Sequence, residues 1–151
     1  RPASNTGPAQ VEILLEEGVA PEKIQIAHTG DTDDLDYIEG LLQTGVYIGM
    51  DRYGIDVFLP TDRRNATVLE LLRRGYAERM FLSQDFDIPI ASGLDWYPPE
   101  LIEQMQAAGA APNWSMTFLF DGVIPALLEG GMTQAQLNTM MVENPARWLG
   151  R

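Results

Sequence analysis

At 151 residues the chain has the size of one ordinary domain, and 45% hydrophobic with 21% charged residues is a globular composition. A net charge of −12, from 22 acidic against 10 basic residues, repels phosphate backbones and anionic lipid, so neither nucleic acid nor a membrane is expected as partner. No apolar run approaches a membrane span, no charged-then-apolar leader is read at the start, and a chain without Cys has no disulfide or thiolate metal site. This pattern suits a cytoplasmic enzyme.

In chain order, residues 7–17 carry apolar side chains at Val11, Ile13, Leu14 and Leu15 ahead of Gly18, which predicts a helix and its stop. Residues 23–28 read as a short strand. Residues 31–42 read as a helix whose first turn is crowded with acids, where the helix dipole favours them. A second strand is expected at 46–50, a helix at 65–74 closed by Gly75, and a third strand at 79–83. A long irregular stretch rich in Pro, Gly and Trp is expected over 86–114, then two helical segments at 117–128 and 133–143.

Largely apolar strands separated by helices of this length indicate parallel βαβ units with both sheet faces covered. Three such units do not close on themselves. An eight-stranded barrel takes ~250 residues, so the chain reads as part of a larger α/β unit.

Three residues share one position in this scheme. His28, Asp51 and Asp85 each stand at or just past the C-terminal end of a predicted strand, the face on which α/β barrels build their active sites. Imidazole and carboxylate from different strands are ligands for a divalent ion, which lowers the pKa of a bound water. Each has a plainer reading as well: His28 as a hydrogen-bonded structural residue, Asp85 as a cap, Asp51-Arg52 as an ion pair holding a loop. With only one His in the chain, chemistry that needs several imidazoles must borrow them. The aromatic residues Tyr53, Phe86, Trp96, Tyr97 and Trp114 follow strands and suit an apolar pocket wall, or packing beneath loops, the reading favoured for Trp114.

Ile26-Ala27-His28-Thr29-Gly30-Asp31-Thr32-Asp33-Asp34, Ile48-Gly49-Met50-Asp51-Arg52-Tyr53-Gly54 and Leu82-Ser83-Gln84-Asp85 closely resemble the phosphotriesterase family of the amidohydrolase superfamily, as do Pro112-Asn113-Trp114 and Glu143-Asn144-Pro145. The Asp-Arg-Tyr-Gly stretch resembles its lactonase branch. The resemblance implies the C-terminal half of a (β/α)8 barrel, about strands six to eight, whose N-terminal half is missing from this chain. It further implies that His28 and Asp85 are metal ligands, that Asp85 is also catalytic, and that Arg52, Tyr53 and Trp96 bind substrate. The complete protein would hold two divalent metal ions (Zn, or Co, Fe or Mn), act on lactones or organophosphates, and form a homodimer. The family's other metal ligands have no counterparts here, so the isolated chain is expected to be inactive. The alternative is a non-catalytic half-barrel that self-associates as a structural assembly.

Overall fold

The computed structural model describes residues 6–86 and 99–150. A parallel three-stranded sheet, in the order β1 (Gln25–Ile26), β2 (Tyr47–Met50), β3 (Met80–Leu82), forms its centre. The register pairs Ile26 with Ile48 and Ile48 with Met80, then Met50 with Leu82. Every residue of β2 is buried, as a strand flanked on both sides requires.

α2 (Leu35–Leu42) crosses from β1 to β2, and α3 (Thr61–Arg73) from β2 to β3. Ile38, Leu41, Val68 and Leu71 from these helices meet Ile48, Met50 and Met80 in the main core. α1 (Gly7–Glu16) packs beside α2 and adds Val11. On the opposite sheet face Tyr47 and Phe81 stack with ring centroids 4.8 Å apart. Among the described residues neither β1 nor β3 has a partner on its outer edge.

Several boundaries differ from the sequence reading. β1 is shorter than predicted because residues 21–23 form a 3-10 turn before it and the backbone turns left-handed at His28 after it. α2 starts at Leu35, capped by the Asp34 carboxylate, which accepts the Tyr37 N–H at 3.1 Å. α3 starts four residues early, at Thr61, directly after Pro60. Its buried stripe is Arg64, Thr67, Val68, Leu71 and Leu72, a helical spacing whose first member is a charge, which hides the start from an apolar-periodicity reading.

The stretch expected to be irregular contains α4 (Pro99–Ala107). The two closing helical segments are each interrupted. Wide turns at Leu119–Val123 and Thr139–Glu143 precede α5 (Ile124–Glu129) and α7 (Asn144–Trp148), with Pro125 and Pro145 in the first turn of each; α6 (Gln134–Asn138) lies between. Proline donates no N–H, so the preceding turn loses a standard bond and widens. No helix among the described residues is long and apolar enough to cross a membrane.

Candidate functional site

Each strand delivers one residue in left-handed backbone conformation to the same end of the sheet: His28 after β1 (φ 59), Arg52 after β2 (φ 57) and Asp85 after β3 (φ 52). These are the only non-glycine residues with positive φ among those described. That conformation is uncommon for a side chain-bearing residue, and strain of this kind collects at functional sites.

Asp51 organises the first of them. Its carboxylate is nearly buried and curls back to β1, where Oδ2 accepts the His28 backbone N–H at 2.9 Å and Oδ1 lies 3.2 Å from His28 Nδ1. Gly49 leaves it room, since a Cβ there would stand 2.8 Å from Asp51 Oδ2. Burial pushes the Asp51 carboxyl above its ordinary range, and the bonds from His28 pull the other way. With Nδ1 directed at a carboxylate, Nε2 is the nitrogen left for another ligand.

Arg52 spans the other two carboxylates. Its Nη1 donates to Asp31 Oδ2 at 2.7 Å and its Nε to Asp85 Oδ2 at 3.3 Å, with the guanidinium carbon 4.7 Å from the centre of the Phe58 ring. Burial alone would lower the Arg52 pKa, but the bonds to Asp31 and Asp85 outweigh it and raise it. Asp85 Oδ2 also lies 3.8 Å from His28 Nδ1, so all three strand ends converge. His28, Asp31 and Arg52 line a cavity of about 730 Å³ together with Gln25, Phe58 and Gln10.

The Asp85 segment is strapped from behind. Trp114 Nε1 donates to the carbonyls of Gln84 and Asp85, each at 3.2 Å, and Gln84 Nε2 donates to the Met116 carbonyl at 3.0 Å. Phe86 meets the Trp114 ring edge-on at 5.3 Å. Gly54, at φ 92, passes so close that a Cβ would stand 2.6 Å from the Asn113 and Trp114 backbone. The loops after β2 and β3 thus share one support.

The structure brings His28, Asp51 and Asp85, the three residues read at the strand ends, to one place, and Arg52 joins them through Asp85. Tyr53, expected to bind substrate, lies in the interior of this chain. Its ring is fully buried behind the site, 5.4 Å from the Arg64 guanidinium, and burial pushes its phenol pKa up. The chain reverses direction after Arg52 and turns the next side chain inward, so Tyr53 packs the loop from within. Trp96 and Tyr97 lie outside the described residues. Asp31, read as part of a helix N-terminus, instead faces Arg52 and Arg64. Among the described residues no group of three or more His, Cys, Asp or Glu side chains is placed to hold a metal ion.

A parallel α/β fold with its polar cluster at the C-terminal ends of the strands defines a class that works by residues from several strands at one rim. Within that class the chain belongs to the phosphotriesterase family, whose sequence profile matches residues 2–149. It is 42% identical to an aryldialkylphosphatase of Saccharolobus solfataricus over 96% of this chain and 44% of that protein. Among solved structures, it is similar to the phosphotriesterase from Mycobacterium tuberculosis (TM-score 0.86, 39% identity, 97% of this chain and 43% of that one). A mutant phosphotriesterase-like lactonase from Deinococcus radiodurans gives a TM-score of 0.81 at 34% identity, over 96% of this chain and 44% of that one. The chain therefore spans less than half the length of these relatives.

Proposed function

We propose that this chain supplies the last three strands of a (β/α)8 barrel, and that the complete protein is a metal-dependent hydrolase opening lactones, acyl-homoserine lactones among them, with organophosphate triesters as further substrates. The observation that carries this reading is the convergence of His28, Arg52 and Asp85 from three adjacent strand ends, with Asp51 orienting the imidazole. The relatives' names, aryldialkylphosphatase and lactonase, support the substrate classes. The open outer edges of β1 and β3 suit a sheet that continues into further strands.

The donor chemistry fits a divalent metal in part. His28 Nε2 and the half-exposed Asp85 carboxylate are suitable ligands, and Asp51 is the carboxylate that fixes the tautomer of a metal-binding His. Two side chains do not fill a coordination shell, so the remaining ligands come from the strands that complete the barrel. A pair of such ions, when bound, polarises the carbonyl or phosphoryl oxygen and makes water a better nucleophile.

This chain's own residues then handle the proton and the substrate. An Asp85 carboxylate oxygen takes the proton of the attacking water and returns it to the leaving alkoxide. Arg52 holds that carboxylate in place through Nε and offers its guanidinium to the substrate side of the cavity. The family resemblance adds Trp96 as a residue that binds the acyl chain or leaving group. It also adds a homodimer to this picture, and the cysteine-free composition suits a cytoplasmic location.

The test is direct. The complete protein is assayed with a lactone and an aryl dialkyl phosphate, before and after chelation, alongside metal content by elemental analysis. Chelator-sensitive turnover of either substrate, lost in His28→Ala, is expected. A metal-loaded protein that turns over neither would overturn the reading. The second reading, a non-catalytic half-barrel that self-associates through its open edges, predicts an assembly of this chain with little or no metal.

A further inference from the structure

Arg64 stands on α3, away from the strand ends, yet its side chain is fully buried beneath the site. Its Nη1 donates to the Asp51 carbonyl at 2.5 Å, and its Nη2 to the Leu59 carbonyl at 3.3 Å. Asp31 Oδ1 lies 3.3 and 3.4 Å from Nη1 and Nη2. An apolar side chain at this position of the α3 stripe would carry no cost for burying a permanent charge, so packing alone does not account for arginine here. The surrounding backbone is shaped to it. Gly30 crosses directly over the guanidinium, and a Cβ there would stand 2.7 Å from Nη1 and 3.2 Å from Met50 Cα.

Two of the three groups Arg64 grips, the Asp51 carbonyl and the Asp31 carboxylate, are the two that define Arg52. The Asp51 carbonyl belongs to the peptide that leads into Arg52, whose backbone is left-handed. Asp31 is shared, Oδ1 with Arg64 and Oδ2 with Arg52 Nη1. Arg64 therefore fixes both the point from which the Arg52 side chain departs and the carboxylate on which it lands.

We propose that Arg64 is a positioning residue, acting through the Asp51–Arg52 peptide and Asp31 to hold Arg52 against Asp85. The kinetic side of this role rests on the hydrolytic function proposed above.

A double-mutant cycle in the complete enzyme tests it. Arg64→Met is expected to lower kcat/KM about 10- to 100-fold, the scale of a misplaced active-site group, with metal content unchanged. In an Arg52→Ala background the same substitution should cost much less, because the residue it acts through is gone. Losses that simply multiply would overturn the proposal. If Arg64→Met does not fold, Gly30→Ala displaces the guanidinium instead and enters the same cycle.

Amide hydrogen exchange gives a readout apart from turnover. Residues 51–54 should exchange faster in the Arg64 or Gly30 variant while the α3 amides keep their protection, and unchanged exchange at 51–54 would overturn the role. If the unmodified enzyme hydrolyses neither substrate class, the functional reading fails, and exchange at 51–54 decides the positioning role by itself.

Discussion

Asp51 binds His28 twice: one carboxylate oxygen accepts the backbone N–H at 2.9 Å, and the other lies 3.2 Å from the ring Nδ1. A single side chain just after β2 thereby fixes the left-handed backbone beyond β1 and the direction of the imidazole. A carboxylate suits both contacts because it only accepts. An amide in its place would keep the contact to the N–H but turn its NH2 toward Nδ1, favouring the tautomer with the proton on Nε2, the nitrogen left for a ligand.

Asp51→Asn is accordingly expected to weaken metal binding by the complete protein about 10- to 100-fold, the usual effect of losing the carboxylate behind a ligating His. Metal titration measures this. Affinity equal to the unmodified protein would separate Asp51 from metal binding.

Asp85→Asn should abolish hydrolysis while leaving the fold largely intact, because the Asp85 side chain is half exposed and its backbone is held by Trp114. Circular dichroism and single-turnover kinetics on one preparation give both halves of the answer. Turnover near that of the unmodified enzyme would remove Asp85 from proton transfer.

Arg52→Ala leaves Asp31 and Asp85 without their shared cation. It is expected to raise KM or shift preference across a lactone series more than it changes metal content. Identical kinetics across the series would rule out a substrate role.

Trp114 combines packing with two N–H contacts, and the two are separable. Trp114→Ala should destabilise by about 3–5 kcal/mol, the range for deleting a large buried aromatic. Trp114→Phe keeps most of the packing but frees the Gln84 and Asp85 carbonyls. Its stability loss should be nearer 1 kcal/mol, with a fall in turnover from a looser Asp85. Denaturant titration paired with turnover distinguishes the two effects, and a Phe variant with normal turnover would show that the strap does not matter for Asp85.

Glu70 on α3 links Arg73 and Arg74, while Arg74 also reaches Glu39 on α2. Hydrogen bonds from Arg73 and Arg74 hold its carboxyl down to about 2, against an ordinary 4.5. A carboxylate with a lowered pKa in the folded state stabilises above its ordinary pKa, and that stability is lost as pH falls toward the lowered value. Glu70→Gln should therefore lower Tm slightly near neutral pH, with the difference fading between 4.5 and about 2. A difference that stays constant through that window would mean the charge contributes nothing; solvent exposure keeps the effect small in any case.

The order of the βα units, the parallel sheet, and the placement of His28, Asp51, Arg52 and Asp85 just after the strands were legible from the residues alone. Those features are local: apolar runs, helical periodicity and glycine stops report on neighbours along the chain. The partnerships came only with folding. Asp51 turns back to a histidine 23 residues away, and Arg64 is drawn inward by Asp31, 33 residues before it. Tyr53 lies buried beside Arg64, and Trp114 reaches Asp85 across 29 residues. Which carboxylate meets which cation depends on which strand ends lie side by side and on where a missing Cβ at Gly30, Gly49 or Gly54 leaves room, and neither is written in the spacing of residues along one segment.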